Sequence, residues 1–147
     1  MNTWKTPSLI GTRYWTSLGV VMGNIYAELS LSNFSDSKID EMNVQAVVDT
    51  GAIDLVIPEH VAIQLHLREL KPREVILASG ERKIVKYVGP IKVETMGRDC
   101  VTAAAVMGDQ VLFGAIPMES MDMIIHPRTQ KLVPNPESPN IPLFLAK

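Results

Sequence analysis

Hydrophobic residues Ile25, Ala27, Leu29 and Leu31 alternate with Tyr26, Glu28 and Ser30. A period of two predicts a strand with one buried face. Residues 32–41 are polar and read as a loop. The apolar run 42–48 predicts a second strand, and 55–57 a short third one. Pro58 opens a predicted helix over 59–65, because proline fits a first helical turn. Segments 75–78 and 84–88 flank Ser79-Gly80-Glu81, a hairpin signal. Gly89-Pro90 interrupts the pattern, after which Ile91, Val93 and Thr95 alternate with Lys92 and Glu94. Further strands are predicted at 101–106 and 110–113, then a short helix over 115–121. Many short strands, frequent turn signals and one or two short helices predict an all-β fold, a small closed or partly closed barrel.

The 147 residues suit one domain with a sizeable core. Fourteen basic and 16 acidic residues leave a charge of −2, which argues against a nucleic-acid surface. The single cysteine, Cys100, has no internal disulfide partner, so a reducing, cytoplasmic setting is expected. No run reaches the length of a membrane-spanning helix. Residues 1–21 are mixed and lack the compact apolar run of a signal peptide. They form an arm with three readings left open: a flexible segment, a dimer-contact strand, or a product of start-site choice. The main domain is expected over 22–139 and a tail over 140–147. Pro134, Pro136, Pro139 and Pro142 keep the end of the chain extended.

The chemistry centres on Val48-Asp49-Thr50-Gly51-Ala52. Asp-Thr-Gly arises by chance in about 3% of chains this long, so context decides its weight. Here the aspartate ends an apolar strand, a small residue follows the glycine, and a second strand comes next. About sixty residues later Leu112-Phe113-Gly114 forms another apolar-apolar-glycine turn, ahead of Ala115. No metal-ligand spacing is present: His60 and His66 do not share a helix face, and His126 is isolated. Cys100 lacks the local pattern of a nucleophile and reads as a buried thiol, and Met107, Met118, Met121 and Met123 read as core.

These two motifs, 47–52 and 111–118, resemble those of the retropepsin-like aspartyl proteases, in particular the single-domain cellular and prokaryotic members. The segments 121–127 and 131–136 are similar to the closing strands of the cellular members, and the likeness runs from about Met22 to about Pro139. The resemblance implies a cofactor-free endopeptidase that acts as a homodimer on peptide or protein substrates. It implies Asp49 as one half of a catalytic dyad, a Thr50 hydroxyl that bonds across to the other subunit, and Gly51 as an open approach to the carboxylates. Ala52 and Asp54 are expected at the substrate, and the hairpin residues Ala78, Ser79, Gly80 and Glu81 are expected to form a flap over it. The chain termini commonly build the dimer sheet in this family, which gives the apolar end Leu143-Phe144-Leu145 an expected role. The chain departs from the retroviral pattern at Ile53, where an aspartate usually holds substrate backbone. Two other readings stand beside the protease: a peptide-binding dimer of the same fold, and a structural or antitoxin-like partner whose purpose is dimerisation.

Overall fold

A computed structural model gives the structure of residues 23–146; the arm 1–21 and the strand-like start near Val20 lie outside the described residues. The strands are β1 (Ile25–Asn33), β2 (Met42–Val48), β3 (Leu55–Ile57), β4 (Arg68–Ile76), β5 (Arg82–Thr95), β6 (Arg98–Val106) and β7 (Val111–Phe113). A separate pair follows, β8 (Met123–His126) with β9 (Lys131–Pro134), and two short helices are α1 (Glu59–Gln64) and α2 (Ala115–Ser120). The sheet order is β1-β2-β7-β3-β6-β5-β4, and β1 also pairs with β5. That last pairing closes β1, β2, β7, β3, β6 and β5 into a six-stranded barrel. β4 lies outside the ring as the partner of β5.

The alternation of β1 does what a period of two requires: Ala27, Leu29 and Leu31 point into the core while Tyr26 and Glu28 face solvent. Leu29, Leu31, Leu55, Ile57, Ile91, Val93 and Phe113 fill the barrel, and α1 adds Val61 and Ala62. Burial of each large aliphatic side chain contributes about 2 kcal/mol. Met118, Met121 and Met123 belong to this core, as expected of them. The strands β3, β5, β6 and β7 have a second apolar face, where Val56, Val85, Tyr87 and Ala105 form a smaller cluster with Leu70, Val75 and Leu112.

Three elements differ from the sequence expectation. β5 runs unbroken through Gly89-Pro90, with a register shift between Val88 and Ile91 in its pairing with β6. Gly89 makes this close crossing feasible, since a Cβ there would lie 3.3 Å from the Ala103 Cα. β4 begins at Arg68, well before the predicted 75–78, and Ala78 belongs to the turn. The first half of β4 is charged and exposed, so it carries no hydrophobic period. Finally, β6 begins at Arg98 rather than at the predicted 101; the closing strands β8 and β9 form their own antiparallel pair. Among the described residues, no helix is long and apolar enough to cross a membrane.

Candidate active site

β7 lies between β2 and β3, parallel to β2 and antiparallel to β3. The loop from Asp49 to Asp54 joins β2 to β3 and must therefore cross the end of β7. Backbone bonds fix the crossing. The Asp49 N–H donates to the Phe113 carbonyl at 3.1 Å, and the Ala115 and Ile116 N–H groups donate to Ala52 and Ile53 carbonyls at 2.9 and 2.8 Å. Within the loop, Ala52 N–H donates to the Asp49 carbonyl at 3.1 Å. At the crossing point sits buried Gly114. A Cβ there would lie 2.2 Å from the Asp54 carbonyl oxygen and 2.7 Å from that of Ala52, so only glycine fits. The two glycine motifs, about sixty residues apart in sequence, are thus halves of one structure.

Asp49 is half-buried at the end of β2, and Thr50 and Gly51 are exposed beside it. Gly51 N–H donates to Asp49 Oδ1 at 2.9 Å. A Cβ on Gly51 would come to 3.1 Å from the same oxygen, so the glycine keeps the amide close and the carboxylate uncrowded. Asp49 Oδ2 and the Thr50 hydroxyl have no partner among the described residues. Ile53, in place of the expected aspartate, is 68% exposed. Next to it, the Asp54 carboxylate accepts a hydrogen bond from the buried phenol of Tyr87 on β5.

The hairpin residues Ala78, Ser79, Gly80 and Glu81 form the turn of the β4–β5 ribbon. Leu77 N–H donates to the Glu81 carbonyl and Gly80 N–H to that of Leu77, both at 2.8 Å, and Gly80 has a φ of 88° that favours glycine. All four residues are exposed. Among the described residues no hydrogen bond or ion pair joins this turn to the Asp49 loop. The connection between ribbon and loop is made further down, at Tyr87. So the structure brings Asp49, Thr50, Gly51, Ala52 and Asp54 together, and among the described residues no bond ties the hairpin tip to them. A cavity of about 340 Å³, lined by Tyr26, Val47, His60 and Asp109 among others, contains none of these residues.

Two features escaped sequence reading. Tyr87 is one; nothing in its spacing marks it, and only the three-dimensional approach to Asp54 does. The other is a polar knot around Asp122, which follows α2 and has a φ of 52°. Its carboxylate accepts from the Ser138 hydroxyl, from Asn135 Nδ2 at 3.1 Å and from Leu143 N–H at 2.9 Å. Arg98, almost fully buried at the start of β6, stands 3.8 Å from that carboxylate. It also donates to the carbonyls of Met121, Asp122 and Ser138. The Ser138 hydroxyl first, then the Leu143 amide and Asn135, with Arg98 adding its charge, hold Asp122 below the usual carboxylate range. The knot ties the end of the chain to the barrel. Around and after Leu143, Ile141, Leu143, Phe144 and Leu145 are exposed and belong to no strand or helix.

Cys100 is buried on β6, and loss of solvation pushes its thiol up to about 11. That is the behaviour of a packing thiol rather than a nucleophile. No family model matches this chain, and no curated protein sequence matches it.

Proposed function

We propose that this chain is one subunit of a homodimeric aspartic endopeptidase of the retropepsin-like type, with Asp49 from each subunit forming the catalytic pair. The observation that carries the reading is the Asp49 loop: a carboxylate at a strand end, ordered by backbone bonds to the residues on either side of Gly114, with one oxygen that has no partner among the described residues. A two-fold axis is the simple way to bring the same patch together twice. Two carboxylates about 3 Å apart do not both ionise, so they share one proton and titrate as a pair.

The ionised member takes a proton from a water molecule while the protonated member donates to the scissile carbonyl oxygen. The water oxygen bonds to the carbonyl carbon and gives a tetrahedral diol. The carboxyl that took the water's proton then gives it to the nitrogen, the C–N bond breaks and the amine leaves, and a diol hydroxyl passes its proton to the other carboxylate, so the dyad again shares one proton. No acyl-enzyme forms. In this reading Thr50 bonds across the interface, Gly51 keeps an amide at the carboxylates, and Ala52 and Asp54 line the substrate path. The hairpin 78–81 descends over an extended peptide as a flap. Activity at mildly acidic to near-neutral pH follows, since it ends when the shared proton is lost.

A second reading, a dimer that grips peptides without cutting them, is favoured by the exposed Ile53 in the position of a substrate-holding aspartate. One experiment separates the two. A mixed peptide library is incubated with the protein at several concentrations, with Asp49→Asn in parallel. The protease reading expects cleavage that rises faster than linearly at low concentration and falls about a thousandfold in the variant. A folded dimer that binds peptides and cleaves none at any concentration establishes the binding module instead.

A further inference from the structure

The phenol of Tyr87 and the carboxylate of Asp54 meet between a barrel strand, β5, and the loop that leads from β2 to β3. Asp54 ends the loop that carries Asp49. Tyr87 lies on β5, one of the two strands of the hairpin ribbon. In the β4–β5 pairing, Tyr87 faces Leu70 and Val85 faces Arg73, with a register shift between. The Arg73 guanidinium lies over the Tyr87 ring, 4.9 Å from its centre. Beneath, the ring packs in the small apolar cluster with Val56, Val85 and Ala105. Arg73, Tyr87 and Asp54 therefore form a continuous stack from the outside of the ribbon to the Asp49 loop.

We propose that Tyr87 is a positioning residue: it fastens Asp54, and through it the Asp49 loop, to the base of the hairpin ribbon. One Asp54 oxygen, Oδ2, is taken by the phenol, which aims the carboxylate and leaves Oδ1 as the acceptor for a substrate N–H. The substrate part of this inference rests on the endopeptidase reading; the mechanical part does not. Burial first, then the bond to Asp54 and that carboxylate's charge, push the Tyr87 phenol up to about 12 against the opposing charge of Arg73. The phenol therefore stays protonated, and a donor, throughout the neutral and acidic range.

Tyr87→Phe removes the hydroxyl and keeps the ring under Arg73. The first readout is amide hydrogen exchange at Ala115 and Ile116, whose N–H groups are bonded to the loop carbonyls of Ala52 and Ile53. Exchange there should speed about tenfold relative to the core strand amides of Leu29 and Val93. Asp54→Asn, whose amide oxygen still accepts from the phenol, should keep exchange near the wild-type rate. The second readout is kinetic: KM for a cleaved peptide should rise about fivefold with kcat within about twofold. Exchange that is unchanged, or that speeds equally in core and loop, overturns the proposal and leaves the endopeptidase reading untouched. Faster loop exchange with unchanged KM in a working enzyme overturns its substrate half. If the wild-type protein cleaves nothing, that reading alone falls, and the exchange result still decides the coupling.

Discussion

Asp49 and Asp122 both sit just past short elements, each preceded by an apolar residue, and they live in opposite circumstances. The Asp122 carboxylate takes three hydrogen bonds and faces a buried guanidinium. It is saturated, and its work is to fasten the end of the chain. Asp49 takes one hydrogen bond from its own loop, at Oδ1, and its other oxygen has no partner among the described residues. The order around Asp49 comes from backbone instead, from a crossing so tight that Gly114 has no room for a methyl group. A carboxylate held by neighbouring side chains is a structural part. One held by backbone alone, with an oxygen that has no partner among the described residues, is what the proposed dyad requires.

The contrast can be broken from either side. The largest effect is expected at the crossing. Gly114→Ala puts a carbon only 2.2 Å from the Asp54 carbonyl oxygen, and should cost about 4 kcal/mol in urea unfolding, as overpacking against rigid backbone does. On the other side, Arg98→Met leaves three carbonyls and a carboxylate without their buried donor. A loss of about 3 kcal/mol is expected, with protease cutting first in the segment after Asn135. Gly51→Ala is milder. Its Cβ would sit 3.1 Å from Asp49 Oδ1, so stability should fall by about 1 kcal/mol, while any peptidase activity falls much further.

The pH response sharpens the comparison. Asp122 is held below its ordinary value of 3.8 in the folded chain, so the unfolded chain takes up its proton more readily. The stability this contributes is present above the ordinary carboxylate range and is lost as pH falls through the lowered value. Asp122→Asn should therefore flatten the acid limb of a stability profile recorded between about pH 5 and 2, with a lower plateau at neutral pH. An unaltered acid limb would mean that other carboxylates carry it.

The Asp49 side of the contrast was legible in sequence and the Asp122 side was not. Asp-Thr-Gly and Phe-Gly are local signals, and the alternation in β1 and the apolar run of β2 are short-range as well. Even so, sequence did not show that Gly114 and the Asp49 loop touch. Arg98 lies ahead of the predicted strand 101–106, and in the structure it is the first residue of β6. It is buried because Ser138, forty residues later, returns to cover it, and no local pattern encodes that return. The first half of β4 was missed for a related reason: its residues face water, so hydrogen bonds to β5 rather than burial make it a strand. Tyr87 was missed because its partner, Asp54, lies on another strand's loop.

The most direct test of the central claim is a subunit-mixing titration. Wild-type chain is mixed with Asp49→Asn chain at fixed total concentration, allowed to exchange, and assayed on a peptide that the wild-type protein cleaves. If each site needs one Asp49 from each subunit, activity follows the square of the wild-type fraction, and an equal mixture retains about a quarter of it. Activity that follows the fraction itself, with about half retained in an equal mixture, would mean that each chain carries a complete site and would contradict the shared pair.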